Sequence, residues 1–295
     1  MTSPTSPPSP PSPTSPTSPI SPAQASRTQT SVRRARRYGS WYVAEHRLRG
    51  MRSYTQTIIA TSIGNPIVYL FALGVGLATL VDQNGTDAAA SGPGYLAFVA
   101  PALLATAAVT VAAEETTYPV LLGFKWNRTF LAMNATPISG NQIVNGLVIS
   151  ITARMLPTVS IYYAFMVAFG AVPSAWGVLS IFVATLTGLS VGLVVMAYVA
   201  TITEDDSKIA LLMRFIIAPM FLFSGTFFPL TQLPVFLQWI GWISPLWHGA
   251  ELGRVLSYGM SEPLWLSVIH LAYPLLLGLA GWKSSQRTVT RRLDK

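Results

Sequence analysis

The sequence predicts an all-α polytopic membrane protein. It reads as six transmembrane helices, an amphipathic cytosolic helix leading into the first, a second cytosolic helix after span two, and a re-entrant helical hairpin on the outside. Three observations predict this class. Only 10% of the 295 residues are charged while 51% are hydrophobic, against roughly 25% charged in soluble domains. Six apolar runs each approach the ~20 residues that a helix needs to cross a bilayer. Lys and Arg concentrate in alternate connections between those runs.

Residues 1–37 read as a disordered cytosolic tail. "TSPTSPPSPPSPTSPTSPISP" cannot bury a core and lacks the apolar run of a signal peptide. The tail ends in Arg33, Arg34, Arg36 and Arg37, a membrane-surface signal and not a nucleic-acid site this close to a span. Residues 38–295 form the transmembrane domain. Its first element has Trp41, Ala44, Leu48 and Met51 on one helical stripe, with Glu45, His46, Arg47, Arg49 and Arg52 opposite, the pattern of an interfacial helix.

The predicted spans are Thr57–Val81, Tyr95–Ala113, Ile143–Phe169, Trp176–Ile202, Ile209–Phe228 and Leu264–Trp282. These runs are continuous and not alternating, so helices satisfy their backbone and a barrel does not. Basic residues precede span one and follow span six. Lys125 and Arg128 lie between spans two and three, Lys208 and Arg214 at spans four and five, and the other side holds only Arg254. Both termini are therefore expected in the cytosol.

Between spans two and three, Leu122, Trp126, Phe130 and Met133 could line one stripe of a helix ended by Thr136-Pro137. Such a stripe suits a protein partner. After span five, Pro229, Pro234 and Pro245 interrupt an apolar stretch. Broken helices at membrane depth survive only against protein or a water-filled cavity. The expectation is a hairpin over about 229–258 that dips into the outer leaflet, with Trp239, Trp242 and Trp247 at interfacial depth. An ordinary kinked seventh span would put the basic C-terminus outside.

Candidate functional residues are few. Arg154 lies inside span three, where a charge is costly unless paired or hydrated; it either faces a cavity or snorkels. Glu114 and Glu115 close span two and suit a contact with a partner or with the helix before span one. Glu251 and Arg254 are spaced to pair on one helical face. His248 and His270 read as isolated, so no metal site is expected. "EDDSK" at 204–208 is a polar turn, and Asn84-Gly85-Thr86 matches a glycosylation sequon to which no role is given. Without cysteine there is no disulfide or thiolate chemistry.

Three motifs resemble the type-2 ABC transporter permeases, in particular the nodulation lipo-oligosaccharide exporters and daunorubicin-resistance permeases. "FLAMNATPISGNQIVNG" (130–146) is similar to the segment after that family's coupling helix. "FLFSGTFFPLTQLPVFLQWIGWISPLWHGAELGR" (221–254) is similar to its outer hairpin and closing "P-L-x-(H/Y)" signature. The resemblance implies an exporter permease of the inner membrane, both termini cytosolic, paired with a second copy or paralogue. It also implies a separate cytosolic ATPase holding ATP-Mg, since no GxxxxGK[ST] occurs here. Glu114, Glu115, Leu122, Trp126, Phe130 and Met133 would then couple to the ATPase. Arg154, Pro229, Pro234, Pro245, His248, Glu251 and Arg254 would line the path or its gate. The cargo would be a drug or a lipid-like or lipid-linked glycan molecule, linking the chain to efflux and antibiotic resistance. No catalytic residue or directly bound cofactor is expected. A membrane-embedded lipid-modifying enzyme would need clustered His, Asp or Ser, and an ion-driven transporter several intramembrane carboxylates; neither set is legible.

Overall fold

The computed structural model describes residues 22–77, 94–203 and 207–294. The repeat-rich tail up to residue 21, the end of predicted span one, the sequon and residues 204–206 lie outside the described residues. Every regular element among the described residues is helical.

α1 runs from Pro22 to Met51. The predicted tail is therefore corrected: residues 22–37 are helical. Pro22, the last of the repeat prolines, occupies the first turn, where a missing N–H costs nothing. A short 3₁₀ turn, Arg52–Tyr54, joins α1 to α2, Thr55–Tyr69, which continues into a π-helical segment, Leu70–Leu77. The predicted stripe on α1 is rotated. Val43, Ala44 and Met51 are buried, but Trp41 is exposed, because α1 packs on a neighbouring helix as well as facing outward.

α3 spans Tyr95–Thr116. Two short helices follow, α4 (Tyr118–Phe124) and α5 (Thr129–Asn134). Arg128 between them takes a left-handed φ of 49°, so the single stripe expected over Leu122–Met133 is broken in two. α6, Gly140–Ala168, begins at Ser139, whose hydroxyl and Gln142 form a reciprocal capping box. Gln142 also donates to the Arg36 carbonyl at 2.7 Å, fixing α1 against the start of α6. Gly146 permits that approach, since a Cβ there would lie 2.5 Å from Val43.

A 3₁₀ turn, Ala175–Leu179, leads into α7, Ser180–Val199. α7 is the central helix, packed between α3 and the last helix, α12 (Leu264–Leu293). Ser285 of α12 donates to the Leu193 carbonyl, and Gly281 lets the backbones approach, the small-residue packing that membrane helices use.

Among the described residues, five helices are long and apolar enough to cross a membrane: Gln29–Leu73, Tyr95–Phe124, Gly140–Ala168, Ala175–Val199 and Leu264–Leu293. The predicted fifth run is not among them. It comprises α8 (Ser207–Leu212), a π-helical segment (Met213–Ile217) and α9 (Ala218–Phe223). It ends at Phe223, not Phe228, and reaches only about 25 Å at 1.5 Å per residue. The stop lies in Ser224–Phe228, where Gly225 adopts φ 66°, a conformation only glycine takes freely.

Beyond it come a 3₁₀ turn (Leu230–Gln232), α10 (Val235–Ile243) and α11 (Pro245–Tyr258). The expected helical pair is present. Its prolines break nothing, however: Pro229 and Pro234 stand just before helical segments, and Pro245 is the first residue of α11. At that position proline's fixed φ suits helix initiation.

Candidate functional site

A cavity of about 320 Å³ opens between α2, α3, α6 and α9. Thr57, Thr61, Ser62, Asn65, Thr106 and Thr110 supply polar walls; Tyr69, Tyr162, Phe221 and Phe227 supply aromatic ones. Ser62 and Thr158 are hydrogen bonded across it at 2.9 Å. The buried hydroxyls of Thr106, Tyr162 and Thr226 have no partner. Buried polar atoms are ordinarily satisfied; these three are unmatched and are shielded by their neighbours.

Glu114 and Arg154 lie at one end of this cavity. Arg154 reaches both Glu114, at 3.0 Å, and Glu115. Arg47 of α1 bonds the other Glu115 oxygen at 2.8 Å. Arg154 therefore faces the cavity and is neutralised there, which reconciles a charged residue with an apolar span. Glu115 is 2% exposed, and its contact with the helix before span one is the one that its position suggested. Both of its oxygens are used within the chain, by Arg47 and by Arg154.

The other expected coupling residues divide sharply. Phe130 is 2% exposed and stacks edge-on against Phe124 at 5.0 Å. It fills the space over Gly123, where a Cβ would collide with its ring. As a partner anchor Phe130 is corrected: the chain's own core uses it. Met133 packs partly against that core, and Leu122 is half-buried. Trp126, at 51% exposed, stands out with Tyr118 and Leu131.

At the opposite end of the bundle, Arg254 is fully buried. Its guanidinium donates to Glu251 at 2.8 Å, to the Phe98 carbonyl at 3.0 Å and to the Gly225 carbonyl at 2.6 Å. It also lies 3.7 Å over the Phe98 ring. The pairing expected from sequence is present, but the path-lining role is corrected: Arg254 pins α11 to α3 and to the bend after α9, supplying donors to irregular backbone.

The histidines are corrected as well. His248 and His270 are neighbours, Nδ1 to Nδ1 at 2.8 Å, although 22 residues apart. Tyr273 stacks on His248, and Glu262 lies 3.5 Å from His270 Nε2. No group of three metal-ligating side chains forms among the described residues. Pro229, Thr231, Glu251 and Glu262 line a second pocket here of about 430 Å³. Pro245 lies elsewhere, on an apolar groove with Leu277.

Comparison with known proteins places this geometry. Residues 41–258 match the ABC-2 type transporter family. The chain is 29% identical over 261 residues to Nodulation protein J of Rhizobium leguminosarum bv. viciae, covering 83% of this chain and 92% of that protein. It is 28% identical over 256 residues to Nodulation protein J of Rhizobium meliloti (strain 1021), covering 83% and 91%. The R. leguminosarum bv. trifolii protein is 30% identical over 218 residues, covering 70% and 78%. With several apolar helices of spanning length, the protein is a multi-pass membrane component of a transporter: it belongs to the ABC-2 type transporter family.

Proposed function

We propose that the chain is the permease half of an ATP-driven exporter in the inner membrane. It would move a drug, lipid-like or lipid-linked glycan molecule outward from the cytosol or inner leaflet. A separate cytosolic ATPase drives it, and a second permease copy or paralogue completes it. Ser207–Phe223 crosses as the fifth of six spans, both termini are cytosolic, and α10–α11 dips into the outer leaflet.

The observation that carries this reading is the mixed cavity ending at Glu114 and Arg154. Hydroxyls and aromatic rings on facing walls suit an amphiphilic cargo. Glu114 and Glu115 sit at the end of α3, and α4 begins after Thr117. A push on the α4–α5 turn by an ATPase would therefore reach the carboxylates holding Arg154 and Arg47. Nucleotide would shift the population of inward- and outward-facing forms through its different affinity for each.

The test is co-reconstitution with the ATPase from the neighbouring reading frame. ATP-dependent outward movement of a fluorescent amphiphile is expected. Full transport by the permease without any ATPase subunit would overturn the reading.

A further inference from the structure

We propose that the pocket between α10, α11 and the start of α12 binds a primary ammonium group. This is a second site, away from the cavity at Arg154, and it stands whether or not the chain exports anything.

The argument begins with the histidine pair. His248 Nε2 lies 3.0 Å from the Trp242 carbonyl. A carbonyl only accepts, so Nε2 carries the hydrogen. In the neutral ring His248 Nδ1 is then an acceptor, and its partner at 2.8 Å, His270 Nδ1, must donate. His270 is left with a lone pair on Nε2. That nitrogen makes no hydrogen bond, and the residue is 1% exposed and lines the pocket.

What faces this lone pair is another acceptor. Glu262 Oε2 is 3.5 Å away, and its carboxylate is 6% exposed. Its other oxygen takes the Ser267 hydroxyl. No Lys or Arg pairs with Glu262 among the described residues. With both rings neutral and the carboxylate ionised, two buried acceptors thus converge with no donor between them. An unpaired buried carboxylate is costly, and a ligand carrying N–H donors and one positive charge removes that cost.

The remaining surroundings discriminate among cations. Fewer than three metal-ligating groups converge here among the described residues, which disfavours a metal ion. Glu251, also on the wall, is already neutralised by Arg254. Trp242 and Trp247 line the pocket, and aromatic walls attract organic cations through the ring quadrupole. A primary ammonium satisfies all three conditions: donors, charge and an organic body. It can come from a lipid headgroup or from a soluble amine.

The experiment uses the full chain in phosphatidylglycerol nanodiscs, which carry no ammonium, without nucleotide or partner subunits. Butylammonium chloride is titrated calorimetrically against butan-1-ol, with potassium chloride as ionic control. Saturable binding of butylammonium at least tenfold tighter than the alcohol is expected. Glu262→Gln, of matched shape, should weaken it at least tenfold. Equal binding of ammonium and alcohol by the unmodified chain would overturn the proposal, whatever the variant does. So would undiminished binding by E262Q. Nanodiscs containing phosphatidylethanolamine assign the source. Suppressed butylammonium binding there supports a headgroup site, and unchanged binding supports a soluble amine. Because neither measurement involves transport, its failure leaves the export reading untouched.

Discussion

The bundle has an arginine cluster at each end, and the two are built differently. Near the hairpin, Arg254 has no exposed surface and spends its donors on two backbone carbonyls and one carboxylate. Near α1, Arg154 and Arg47 retain 13% and 17% exposure and share carboxylates that end α3. The first joins fixed backbone; the second joins side chains of three helices at the margin of a cavity. A guanidinium bound to carbonyls has no equivalent partner to exchange with, whereas a carboxylate shared by two arginines can trade one for the other. The hairpin end is thus suited to hold its geometry, and the α1 end to change it.

The largest effect expected is at the rigid end. Arg254→Met leaves Glu251 and the buried Gly225 carbonyl without their donor, a loss of about 3–5 kcal/mol for a broken buried pair. The expected result is a strongly lowered melting temperature in detergent, or failure to accumulate. Arg254→Lys should recover only part, because an ammonium cannot reproduce the planar fork. A variant melting within a degree or two of the parent would remove the pin from the comparison.

Next come two aromatic residues on the short helices. Phe130→Ala empties a core position over Gly123 and should cost about 3–5 kcal/mol. Trp126→Ala, half exposed, should leave the melting temperature nearly unchanged. If Trp126 is the ATPase anchor, its loss should reduce ATPase pull-down about thirtyfold, the equivalent of 2 kcal/mol. Normal pull-down would show that the exposed ring rests on the membrane. The opposite ordering of the two variants in melting temperature would mean that the short helices are packed otherwise.

How much of this was legible follows from distance along the chain. The Glu251–Arg254 pair is one helical turn apart and could be read directly. Glu115 and Arg154, 39 positions apart, and His248 and His270, 22 apart, meet only through packing. Uniformly apolar spans such as α3 and α7 carry no facing information, since lipid and protein neighbours favour the same residues. The helices at the second, third and fourth predicted spans begin and end within a few residues of the bounds read from sequence, whereas α12 continues past Trp282 to Leu293 and the fifth run stops before Gly225. The prolines misled because proline both breaks helices and begins them, and only backbone geometry tells which.

Within the adaptable end, burial should grade the two carboxylates. Glu115→Gln removes the acceptor shared by Arg47 and Arg154 and should cost about 2 kcal/mol, less than a fully buried pair because both arginines keep some water. Glu114 is 51% exposed, so Glu114→Gln should stay below about 1 kcal/mol. Chemical denaturation of both variants checks the order. Equal losses would mean that the cluster is held by its total charge and not by the buried oxygen.

The smallest effect is expected at the prolines of the hairpin. Pro234 precedes α10 with φ −51° and ψ 139°, values its ring favours without strain. Alanine can take the same conformation. Pro234→Ala should therefore lose only the proline's restriction of the unfolded chain, about 0.4–1 kcal/mol. Nor should it lengthen α9, because Gly225 at φ 66° and the Arg254 bond to its carbonyl end that helix upstream. A single cysteine at the exposed Thr231, in a chain without native cysteine, reports on this. Labelling by an impermeant thiol reagent should be the same with and without the Pro234 change. If Thr231 instead becomes protected in the alanine background, the proline does hold α9 short, and the stop assigned to Gly225 and Arg254 is wrong.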